Sequence, residues 1–112
     1  MHSIPFTKLN WDITEKIAVK GEKGVALIQT IEWAGLRVRM VNYSTDYLAD
    51  HWCTKGHFVH CISGSFIIQL STGEIIKFHK GESFIVTDYA SNHLLISNEG
   101  AQLLIIDGEF LG

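Results

Sequence analysis

Apolar and polar residues alternate in short runs along most of this chain, and glycine, serine and asparagine punctuate the runs. Residues 25–31, 36–41 and 48–53 each read as a half-buried strand. The clearest is Leu36-Arg37-Val38-Arg39-Met40-Val41, where apolar and basic side chains alternate. Residues 57–62 lead to Ser63-Gly64, a predicted turn, and then to a strand over 66–70. Ser71-Thr72-Gly73 turns into 75–78, and Lys80-Gly81 into 83–86. Strands over 93–96 and 103–106, with Asn98-Glu99-Gly100 between them, complete the set. Turn signals at this spacing predict an all-β sandwich or barrel rather than alternating βαβ units. No stretch keeps a 3.6-residue apolar period, so no long helix is expected. Residues 1–22 read as an N-terminal arm, with Gly21 and Gly24 breaking the chain where it ends, and residues 23–112 as the barrel.

Composition narrows this picture. A chain of 112 residues is one domain. Its 46% hydrophobic content excludes a disordered chain. A net charge of −3, with lysine and arginine scattered, argues against nucleic acid, which needs a concentrated basic footprint. No apolar run is long enough to span a membrane, and Met1–Asn10 lacks the basic and apolar regions of a signal peptide. The expected compartment is the cytoplasm, where Cys53 and Cys61 stay reduced. Charged residues are only 19% of the chain, which points to a surface that hides a partner interface. A homodimer is expected, paired through an edge strand or an exchanged arm.

The candidate chemistry lies between residues 50 and 57. Asp50-His51-Trp52-Cys53-Thr54-Lys55-Gly56-His57 packs two imidazoles and a thiol into the seven residues from His51 to His57. On a strand His51 and Cys53 share one face, with Trp52 on the other. Gly56 allows a bend before His57. Imidazole and thiolate are good ligands for first-row transition metals. Arg37 and Arg39 share a strand face and are candidates to pair an anionic ligand or to cover a polar face. No Gly-x-Ser-x-Gly elbow or phosphate-binding glycine loop occurs, and the sequence does not set an acidic residue with the histidines in the pattern of a nucleophilic triad.

These residues carry a resemblance. His51-x-Cys53, three residues, His57, six residues and Gly64 have the spacing of the first motif of the cupin superfamily. Cys53 stands at its second histidine and His57 at its glutamate. The run from Gly81-Glu82 to His93 resembles the second motif, without its proline and second glycine. Asp50-His51-Trp52-Cys53 is similar to the signature of small cupins named for an Asp-His-Cys-Trp string, with the last two letters exchanged. The resemblance covers residues 36–107. It implies a double-stranded β-helix, or jelly-roll, barrel. It also implies that His51, Cys53, His57 and His93 hold a divalent transition metal: zinc, iron, nickel, manganese or copper.

Two functions fit that expectation. One is a metal-dependent enzyme of oxygenase, isomerase or hydrolase class acting on a small molecule. The other is a barrel that binds or senses a small molecule or metal without chemistry. The fold alone names no substrate.

Overall fold

A computed structural model describes residues 3–112; Met1 and His2, the start of the expected arm, lie outside the described residues. Nine strands form two antiparallel sheets that share one long strand. They are β1 (Ile17–Lys20), β2 (Val25–Trp33), β3 (Leu36–Tyr43), β4 (Tyr47–Leu48) and β5 (His57–Leu70). After them come β6 (Ile75–His79), β7 (Ser83–Val86), β8 (His93–Ser97) and β9 (Ala101–Gly108). The first sheet has the order β1-β2-β3-β9-β5-β7, and the second β4-β8-β5-β6. Single-turn 3-10 helices at Trp11–Ile13 and Glu109–Leu111 flank the strands. The architecture is an all-β jelly-roll barrel.

Strand β5 corrects one expectation. Ser63-Gly64 does not end a strand; it bends one. A register shift between Cys61 and Ser63 bulges β5 against β9, and the strand then leaves the first sheet for the second. Such an extra residue increases local twist and turns a strand round a corner. Gly64 takes φ +74° there, and a Cβ would lie 2.2 Å from the Gly100 carbonyl oxygen. Only glycine fits so close an approach.

Residues 17–20, read from sequence as part of the arm, pair with β2 as a strand. Before them the arm runs along the outside of β2. Gln29 Nε2 donates to the carbonyl oxygens of Trp11 and Thr14, and the Gln29 side chain is buried as a result.

The core sits between the sheets. Val41, Val59, Leu103 and Ile105 from the first sheet meet Phe66, Ile68 and Phe78 from the second. Phe66 and Phe78 stack with ring centroids 4.8 Å apart, and Phe84 closes on both. This packing stops short of one end of the barrel. A cavity of about 220 Å³ remains there, walled by Ala26, Ile28, Val59, Ile68, Phe84, Leu95 and Ile105. No helix among the described residues is long and apolar enough to cross a membrane.

Candidate metal centre

Three of the four candidate ligands converge at that cavity. His57 is the first residue of β5, and His93 the first of β8. Cys53 lies in the connection before β5 and is tied to His93 by two backbone hydrogen bonds. Its N–H donates to the His93 carbonyl at 2.8 Å, and the His93 N–H returns one at 3.0 Å. Gly56 lets the chain turn from this bridge into His57. A Cβ there would lie 2.7 Å from the Val86 carbonyl oxygen, and its N–H donates to Asp88 Oδ1 at 2.6 Å. One ligand atom from each of Cys53, His57 and His93 lies within 4.8 Å of the others.

The ring nitrogens are oriented. His57 Nδ1 lies 3.0 Å from Asp107 Oδ2, and His93 Nδ1 lies 3.0 Å from the Ser91 carbonyl oxygen. Both partners accept hydrogen bonds, so each Nδ1 carries the hydrogen and each Nε2 is free to face the centre. His57 Nε2 is 3.3 Å from Cys53 Sγ. In metal-free protein, hydrogen bonds with His57 and His93, whose Nε2 can take up the proton the thiol gives, outweigh burial and pull the Cys53 thiol down to about 5. His93 is correspondingly raised by its bond to Cys53, against burial and with help from Ser91. A thiolate and two oriented imidazoles thus share one point.

Asp107 is the residue that sequence reasoning missed. It lies 50 positions from His57 but one strand away. Arg37 is its cross-strand partner and grips it with a fork, Nε to Oδ1 at 2.8 Å and Nη2 to Oδ2 at 2.9 Å. Arg39, one step diagonal, donates from Nη2 to Oδ2 at 2.9 Å. Burial would raise the Asp107 carboxyl; the Arg37 hydrogen bond and the charges of Arg39, Arg37 and His57 overcome it and hold the carboxyl low. The expectation that no acidic residue serves the candidate histidines is corrected by the β3-β9-β5 pairing, which sets Asp107 against His57. The available signal was an isolated aspartate ending the apolar run 103–106 opposite two arginines.

His51 lies outside the group. Residues 49–56 form no strand beyond the single bridge at Cys53, so the alternation expected to align His51 with Cys53 does not operate. The His51 side chain is 76% exposed at the cavity mouth, its Nδ1 2.6 Å from Asp50 Oδ1. Trp52 points outward and Cys61 is fully buried in the core. Tyr43 lines the cavity, and Tyr89 is exposed beside Lys55. Tyr47 lines the cavity too, edge-on to Tyr43. Arg39 lines it, and its buried Nε has no hydrogen-bond partner.

No family model matches the sequence, and no curated protein does. Solved structures do. An RmlC-like cupin from Shewanella frigidimarina is similar with a TM-score of 0.70 at 18% identity, over 95% of this chain and 91% of that one. A sugar phosphate isomerase from a cupin superfamily, from Silicibacter pomeroyi, reaches 0.73 at 14% identity, over 92% and 76%. FeII HppE reaches 0.73 at 12% identity, over 91% and 60%. At these identities the likeness is one of fold, and the chain folds as a cupin.

Proposed function

We propose that Cys53, His57 and His93 would hold one divalent transition metal at the wall of the cavity, and that the cavity takes a small anionic molecule beside it. The observation that carries this reading is the orientation of both imidazoles. With each Nδ1 bound to an acceptor, two Nε2 lone pairs and one thiolate face a common point, and a cation satisfies all three. A tetrahedral zinc with bonds of about 2.3 Å to sulfur and 2.0–2.1 Å to nitrogen sets sulfur and nitrogen about 3.5 Å apart. The 3.3 Å between Cys53 Sγ and His57 Nε2 fits that spacing. Three protein ligands leave a position free, as catalytic metal sites do. A mixed thiolate–imidazole set suits zinc, iron(II) or copper better than magnesium or calcium.

Asp107 orients His57 and raises its basicity as a ligand, and Arg37 and Arg39 hold Asp107 in place. When bound, the metal supplies Lewis acidity at the cavity's wall. The apolar walls bury the body of the ligand and keep water away from it. Arg39 offers a free N–H for a carboxylate or enolate oxygen. Arg37, Arg39 and Asp107 together leave one net positive charge beside the cavity. On this fold FeII HppE carries iron by its name and the sugar phosphate isomerase an activity on a small molecule, and together they support a metal-dependent enzyme of small-molecule substrates as a class.

A second reading rests on the Cys53–His57–Asp107 chain, which has the thiol–imidazole–carboxylate order of a nucleophilic cysteine. Elemental analysis of the untagged protein separates the two. Near-stoichiometric metal that is retained in His51→Ala and lost in His57→Ala and His93→Ala is the expected result. A protein without metal, whose melting temperature ignores added zinc, iron(II), manganese and nickel, removes the metal centre and leaves the thiol.

A further inference from the structure

A second cavity, of about 160 Å³, adjoins the one at the metal centre. Leu70, Ile76, Phe78 and Val86 wall it, and Ser91 and His93 contribute its only polar side chains. Ile68, Phe84 and His93 line both cavities, so they form the partition between them. Phe84 is the firmly packed part of that partition. Its ring centroid lies 5.3 Å from that of Phe78 and 6.2 Å from those of Phe66 and His93.

The first cavity carries unpaired donors on the side of β3 and β4, where Arg39, Tyr43 and Tyr47 line it. Of the three tyrosine hydroxyls, only that of Tyr89 has a hydrogen-bond partner among the described residues, Lys55. Arg39 gives one Nη2 hydrogen to Asp107. Its Nε is the one sealed polar side-chain atom without a partner among the described residues, so the Tyr43 and Tyr47 hydroxyls and Arg39 Nη1 are unpaired yet open. Burial pushes both phenols up, so each keeps its hydrogen. Buried donors without acceptors call for a ligand that brings acceptors. A carboxylate brings two oxygens and one charge, which matches the one net positive charge of Arg37, Arg39 and Asp107. A phosphate would add a second charge among walls that are otherwise apolar. Phe84 lies across the barrel from these donors: β9 and β5 separate β7 from β3, a span of about 14 Å before side chains are counted.

We infer that the first cavity binds a short monocarboxylate, with its oxygens on Arg39, Tyr43 and Tyr47 and its chain against Phe84, and that Phe84 sets the longest chain the site accepts. This rests on the reading of the cavity as the site of a small anion and is independent of the metal. At roughly 30 Å³ per heavy atom, the share of one water in the liquid, 220 Å³ holds roughly seven atoms, the number in pentanoate. The second cavity would add roughly five more.

The test is a series of straight-chain acids from acetate to octanoate, bound to the full chain with zinc and after chelation, with affinities from ligand-detected NMR. Affinity rises roughly fourfold per methylene up to about pentanoate and falls at least tenfold by octanoate. Pentanol, which has the chain without the charge, binds at least tenfold more weakly than pentanoate. Phe84→Ala joins the two cavities, so octanoate gains at least tenfold while acetate is unchanged. Phe84→Leu, a milder change in the same aromatic cluster, moves the limit in the same direction and keeps the test open should the alanine variant not fold. Tyr43→Phe weakens every acid at least fivefold and leaves the length limit in place. Acids bound equally from acetate to octanoate, or a length limit that neither Phe84 variant moves, overturn the inference and leave the small-anion reading standing. Pentanol bound as tightly as pentanoate, or no acid bound in either metal state, overturns both.

Discussion

The two faces of the five strands β2, β3, β9, β5 and β7 depart from an ordinary half-solvated sheet, because an ion-paired group lies on the inward face beside the apolar core while the outward face is largely apolar. The inward face holds Arg37, Arg39, Asp107 and His57, all within one ion-paired group. The outward face holds isoleucine, valine, leucine, methionine and phenylalanine. Charge inside is tolerated because it is paired: Asp107 accepts from two guanidiniums and one imidazole. An interior network of this kind is costly, the more so because the buried Arg39 Nε has no partner, and it is tolerated where it positions something. What it positions is the ring of His57. The difference teaches that alternation locates a strand and says nothing about which side faces water.

The largest effect expected from breaking this contrast is on the inside. Asp107→Ala leaves Arg37 and Arg39 facing each other without their counter-charge, and we expect a loss of about 3 kcal/mol of stability, the lower part of the range for a broken buried pair because Arg37 is 40% exposed. Urea unfolding at pH 7 measures it, and a loss under 1 kcal/mol would falsify the bracing role. Asp107→Asn keeps the shape and loses the charge; metal affinity should fall roughly 10–100-fold, read by competition with a chelator. The same group sets the acid limb of stability. Because the folded Asp107 carboxyl is held below its unfolded value, its contribution is fully present above about pH 4, the unfolded value, and disappears as pH falls through the lower folded one. Unfolding at pH 3 should therefore show a smaller gap between native and Asp107→Asn protein than unfolding at pH 7.

A smaller effect concerns the thiol. With its titration near 5, Cys53 in metal-free protein is a thiolate at pH 6.5, whereas Cys61 is fully buried and its thiol pushed up by burial. Iodoacetamide should label one cysteine at that pH, identified by mass spectrometry as Cys53, and stoichiometric zinc should suppress the labelling several-fold. His57→Ala should slow it in metal-free protein by moving the thiol back towards its ordinary range. Labelling that zinc leaves untouched would favour the nucleophilic cysteine over the metal centre.

Much of the fold was legible because the signal was local. Alternation and turn residues marked the strands, and the motif spacing picked out Cys53, His57 and His93, which the barrel brings together. What escaped was set by pairing. The break at Ser63-Gly64 is a bulge only because β9 continues alongside it. His51 carries the right spacing and leaves the group because the segment around it is bridged once and otherwise irregular. Asp107 joins the site through cross-strand register, which no local window contains. Inward orientation of Arg37 and Arg39 was equally invisible, since either face of an alternating strand can be the wet one until its neighbours are known.

The smallest predicted effect isolates the two faces on a single strand. Val41 is 1% exposed inside β3, and Val38 lies on the outward face of the same strand. Threonine has nearly the shape of valine and adds one hydroxyl, so the pair of substitutions compares burial with little change in volume. Val41→Thr buries that hydroxyl among Val59 and Leu103 and should cost about 1–3 kcal/mol. Val38→Thr should cost under about 0.5 kcal/mol at sub-micromolar concentration, where the outward face meets water. If a second copy covers that face, the Val38→Thr penalty must grow as protein concentration rises, because the desolvated state of the hydroxyl is then the dimer. A penalty equally small at 0.5 and 200 µM would mean that the outward face remains wet, and its apolar rows would then need another explanation.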